Sequence, residues 1–130
     1  MNIFKTAEIA AGIMLEKKLV DRICIYIQAK EKNFSLDPET IKAILNCIIA
    51  IAGLLYKCYG HDPSQYYGVV QNPGLFSRWM VSLYTRKYFR FKPSDQREIM
   101  CSAMMDTAKG MSEKEIQQLI SYANGLRSKT

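Results

Sequence analysis

The stretch AILNCIIAIAGLLY, residues 43–56, runs for 14 positions without a charge, and a lysine bounds it on each side. Asp37 stands ahead of it as an N-cap, and Pro38 falls at the first helical position, where its missing N–H leaves no bond unmade. Ile41, Ile44, Ile48, Ala52 and Leu55 recur at helical spacing, while Cys47, Ile49, Ile51 and Leu54 make the other faces apolar as well. A helix apolar on every side belongs inside a protein core or a membrane. The uncharged stretch reaches about 21 Å at helical rise, short of the roughly 20 residues that cross a bilayer. A central core helix over about 38–58 is expected, with no membrane span.

The rest of the chain supplies what encloses it. Ile9, Ile13, Val20, Ile23 and Ile27 place a long helix over 3–31, although the β-branched RICIYIQ also suits a strand. Gly60 can end the central helix, and Asp62-Pro63 and Asn72-Pro73 are turns or helix starts with a short helical turn between them. A third main helix is expected over 73–91, stopped before Pro93. Ser94 or Asp95 opens a fourth that runs to Lys109 and ends at Gly110. Ser112 and Glu115 have capping-box spacing, and Met111 and Ile116 have that of a hydrophobic staple. The last helix then buries Ile116, Leu119, Ile120 and Ala123 and stops at Asn124-Gly125. The fold class is all-α: a compact single-domain bundle of about five helices over 1–126, with 127–130 as a frayed tail.

Two bulk properties narrow the partner. The chain of 130 residues carries a formal net charge of +6. Residues 57–92 hold six cations against Asp62 alone, so nearly all of that charge is local. A basic concentration of this kind faces a polyanion, or forms a solvated edge. The cysteines, Cys24, Cys47, Cys58 and Cys101, form no C-x-x-C pair and are expected as buried free thiols. With no clean apolar region or cleavage site near the start, no signal peptide is read and a cytoplasmic location is expected.

The segment RWMVSLYTRKYFRF, residues 78–91, is where charge and aromatic rings meet. On a helix, Phe76, Trp79, Met80 and Leu83 point one way, which is read as the core, so truncating Trp79 should cost roughly 3–5 kcal/mol. Arg78, Ser82, Arg86 and Arg90 follow four apart as a second stripe, with Lys87 beside it and Lys92 beyond. Guanidinium forks suit phosphate oxygens, since each binds bidentately and keeps its charge. Tyr84, Tyr88 and Phe89 offer faces on which unpaired bases stack. An acidic protein surface fits the same arginines, and aromatics that finish a core above a solvated rim fit the sequence too.

Catalysis is not expected. Cys58, His61 and Asp62 lie close in sequence, but a metal needs three or four ligands and no second Cys/His pair exists. A histidine at a helix C-terminus, facing its dipole, explains the group. No glycine-rich phosphate loop, H-E-x-x-H or G-x-S-x-G is present. The methionines Met100, Met104, Met105 and Met111 suit either a groove or an irregular core.

Residues 86–126, with AKGMSEKEI at the start of the last helix, are similar to the C-terminal part of small cytochromes c. The resemblance implies haem, with Met104 as its methionine ligand; the chain departs from that family in having no C-x-x-C-H attachment motif. No cofactor follows from the residues themselves. The leading expectation is a non-enzymatic subunit or inhibitor acting on a nucleic-acid machine through residues 78–92. The alternative is a protein-only interaction module, such as an immunity protein, an adaptor or a secretion chaperone.

Overall fold

The computed structural model describes residues 3–60 and 62–128. They form six helices and no strand: α1 (Ile3–Lys30), α2 (Pro38–Tyr59), α3 (Pro63–Gln71), α4 (Leu75–Tyr88), α5 (Ser94–Lys109) and α6 (Glu113–Ser128). The expected short turn is thus a full helix, α3, and RICIYIQ is helical throughout. The last helix runs past Asn124-Gly125 to Ser128.

α2 begins as its residues dictate. The Asp37 carboxylate accepts the Thr40 N–H at 2.8 Å and also the Thr40 hydroxyl, and Pro38 occupies the first turn. Gly60 ends the helix with φ 66°, its N–H donating to Tyr56 O at 2.8 Å. Between Ala43 and Tyr56 only Asn46 is exposed. α1, α3, α4 and α6 all pack against α2, and α5 closes the bundle on α1, α3 and α4. By length and composition the 22-residue α2 is apolar enough to cross a membrane, a property the 14-residue reach had concealed. Here its buried residues, among them Ile44, Cys47, Ile48, Ala52 and Leu55, meet the other helices, while Ala50 and Leu54 are only half-buried.

α1 buries a row four residues apart, Leu15, Leu19, Ile23 and Ile27, and leaves Ile13 outside it. It packs against both α5 and α6. A Cβ on Gly12 would come within 2.6 Å of Tyr122 Cδ2 and 2.7 Å of Tyr122 Cβ, so only glycine lets the ring sit there. α6 opens with the expected reciprocal box: Ser112 N–H donates to Glu115 at 3.0 Å, and Glu115 N–H to the Ser112 hydroxyl at 3.2 Å. Glu115 also meets Lys18 at 3.3 Å, tying α6 to α1. Met111 and Ile116 are both buried beside this cap, as are Leu119, Ile120 and Ala123. All four cysteines are free thiols, but only Cys47 is buried; Cys58 is exposed, and Cys24 and Cys101 lie between.

Two outcomes follow. Gly12→Ala should destabilise the chain by about 1–3 kcal/mol, the usual cost of overpacking, measured as a lower urea midpoint with an unchanged slope. The Thr40 hydroxyl and N–H, with Lys92 further off, hold the Asp37 carboxyl below its ordinary range. Its stabilisation is therefore complete above the unfolded-chain value and is lost as pH falls through the lower folded value. Asp37→Ala should lower the unfolding midpoint at neutral pH, with the gap from the parent closing in acid. A gap that stays constant with pH would contradict a charged cap.

Candidate interaction surface on the fourth helix

α4 follows the Asn72-Pro73-Gly74 turn, and Gly74 makes no side-chain cap bond. Its inner face is built from small and medium side chains. Ser77, Met80 and Thr85 are buried, with Val81, Tyr84 and Tyr88 partly so. The Thr85 hydroxyl returns to Val81 O at 2.6 Å and also shares a side-chain hydrogen bond with Cys101 of α5. Cys47 of α2 donates its thiol to Tyr84 O at 3.5 Å, so the two helices approach closely there. Burial pushes that thiol well above its ordinary range.

The outer face is the reverse of the expected one. Leu75 is 90% exposed, Trp79 59%, Phe76 51% and Leu83 47%. At 100° per residue these four fall within about 100° of arc, and Arg86 falls inside the same arc. Of the set expected in the core, only Met80 is there. Phe76 and Trp79 stack with ring centroids 6.2 Å apart. Arg78, Arg86 and Lys87 are exposed on and around this stripe. Neither Arg78, Arg86 nor Arg90 forms an ion pair with a described residue.

The helix also ends sooner than expected, and this removes part of the expected site. Phe89 turns out of helical geometry (φ −116°, ψ 26°) and is fully buried at 0% exposure, so it offers no stacking face. Arg90 lies beyond the helix and is exposed, out of line with Arg78, Ser82 and Arg86. Tyr84 and Tyr88 are half-buried and stack on each other at 6.3 Å, with Lys87 over the Tyr88 ring at 5.7 Å. Lys92 is engaged inside the protein. Its ammonium lies 3.7 Å from Asp37, 3.5 Å from Ser35 O and 5.0 Å from the Phe34 ring centre, and its side chain is only 12% exposed. It joins the α4–α5 link to the cap of α2.

Arg78, Arg86, Lys87 and Arg90 therefore remain available to a partner, and Leu75, Phe76, Trp79 and Leu83 join them. One sequence signal pointed to these four: Arg86 is seven residues, two turns, after Trp79. A core facing Trp79 would have drawn a guanidinium in with it.

The other expected sites lie elsewhere. Cys58 is exposed at the end of α2, and His61 is outside the described residues. Met104 is buried on α5 and lines an apolar cavity. Apart from Met80, Met105 and Met111 the cavity wall holds no haem-ligating side chain, so the His/Met pair that the resemblance implies is not found around Met104. Among the described residues no group of three or more His, Cys, Asp and Glu side chains could hold a metal ion. No protein-family description, curated protein or solved structure matches the chain.

The exposures fix a pair of outcomes opposite to the sequence expectation. Phe89→Ala should cost about 3–5 kcal/mol of stability, whereas Trp79→Ala should cost about 1 kcal/mol or less. Chemical denaturation of the two variants separates them, and equal large losses would contradict the facing of α4.

Proposed function

We propose that the chain is a non-enzymatic binding protein that docks through the outer face of α4 onto a protein partner. The partner is read as an apolar groove rimmed by carboxylates. The observation that carries this reading is the exposure of Leu75, Phe76, Trp79 and Leu83 on one arc, 47–90% each, beside unpaired Arg78 and Arg86. A contiguous apolar patch with a polar rim is the usual signature of an interaction site. Tryptophan and arginine are the residues that most often dominate interface energetics. The recognition mode is that of an amphipathic helix laid into a groove, with positions 75, 76, 79 and 83 as anchors.

Charge complementarity supports an acidic rim on the partner, because residues 57–92 hold most of the net positive charge. Two features favour protein over nucleic acid. Two of the four exposed apolar residues on α4 are leucines, which have no face for base stacking. The tyrosines expected to stack bases lie against each other, and Phe89 is in the core. Within this reading, a protein component of a nucleoprotein complex is a partner that retains the subunit-or-inhibitor role expected from the sequence.

The test begins with crosslinked capture from the native cell, followed by titration of the purified partner. Trp79→Ala should weaken binding about 30-fold or more, the hot-spot scale of 2 kcal/mol, with little change in salt dependence. Arg86→Ala should slow association and flatten the salt dependence, as a rim charge does. The reading is overturned if both variants bind the captured protein like the parent. It is also overturned if the same residues bind a polynucleotide with a salt slope of about −0.7 to −0.9 per phosphate, or bind anionic vesicles in preference to the protein.

A further inference from the structure

The thin inner face of α4 has a second consequence, on the inside of the bundle. Behind Ser77, Met80 and Val81 lies a cavity of about 110 Å³ that opens to solvent. Ile48, Ala52 and Leu55 of α2 form its floor, and Ile116, Leu119 and Ile120 of α6 form one wall. Every lining residue is apolar except Ser77 and Thr107. The cavity's half-buried lining residues include Val69, Val70 and Pro73 at the end of α3 and Met105, Thr107 and Ala108 on α5.

We propose that this cavity is a binding site for one small apolar ligand, a single unsubstituted ring or the end of an alkyl chain. Three properties carry the assignment. A water needs two to four polar partners, and a wall with two hydroxyls among so many apolar side chains does not supply them. Apolar cavities of about 150 Å³ admit benzene or xenon, and the volume here is of that order. Met80, Met104, Met105 and Met111 all line it. Unbranched thioethers change shape at little cost, so the wall adapts to a ring or a chain. Of the methionines grouped in the sequence, Met104, Met105 and Met111 line the cavity and Met100 is in the core.

The site is independent of the outer face of α4, and its test does not involve a macromolecular partner. The whole chain, labelled at its methionine methyl groups, is titrated with benzene and, separately, with n-hexane, and followed by NMR. The methyls of Met80, Met104, Met105 and Met111 should shift in a saturable way. Met14, exposed at 73% on α1 and remote from the wall, should not. The unfolding midpoint should rise with probe concentration, as it does for any ligand of the native state alone.

Ala52→Leu fills the cavity from the floor and should abolish the shifts while circular dichroism remains helical. Ala108→Leu, at a half-buried position of the wall, is the milder variant if the first does not fold, and it should lower the affinity at least tenfold. Saturation with neither probe, shifts of equal size at Met14, or full binding by the Ala108→Leu variant would each overturn the assignment.

Discussion

α2 is apolar on most of its circumference, and the arrangement of the other helices follows from that. Between Ala43 and Tyr56 the only exposed residue is Asn46, which lies with exposed Lys42 and Cys58 and half-buried Ala50 and Leu54 on the one side left toward water. Four helices pack directly on it, and the fifth holds three of those four together. Burying apolar area contributes about 25 cal/mol per Å², so a helix with large side chains on every side gains more from enclosure than a one-faced helix. The cap at Asp37 and the stop at Gly60 set where that enclosure begins and ends. Lys92 then binds the cap to the far link between α4 and α5, so the start of the central helix and the end of α4 are held at one point.

α4 meets α2 with its smaller residues. Ser77 and Thr85 let it come close, and a thiol-to-carbonyl contact from Cys47 marks the approach. The larger side chains of the helix then have only the outside left. This one choice of facing produces both an apolar stripe beside unpaired arginines and an unfilled space behind the helix. Phe89, rather than Trp79, is the aromatic that closes the core at this end. Its departure from helical geometry ends α4 at Tyr88 and sends Arg90 off the arginine stripe.

Where residues carry a local signal, the sequence was readable. The proline and aspartate at the start of α2, the Ser112–Glu115 box and the Ile116–Leu119–Ile120–Ala123 face each specify their structure through contacts within a few residues. α4 carries no such signal for its facing. Apolar side chains occur on both of its sides, and periodicity alone assigns the bulkiest ones to the core. The competing clue is electrostatic: Arg86 shares an arc with Trp79, and an unpaired guanidinium is costlier to bury than an indole is to expose. Gly12 was equally unreadable, because its need for glycine comes from Tyr122, 110 positions away along the chain.

The facing of α4 is testable directly because Trp79 is the only tryptophan. Its intrinsic fluorescence therefore reports on this one position, and iodide quenching reads its access to solvent. With the indole 59% exposed between Arg78 and Arg86, the folded protein should emit like a solvated indole. Iodide should quench it nearly as well as in the urea-unfolded chain, and better than caesium does, because the arginines draw anions. Blue-shifted emission that iodide cannot reach until the chain unfolds would place Trp79 in the core and contradict the account.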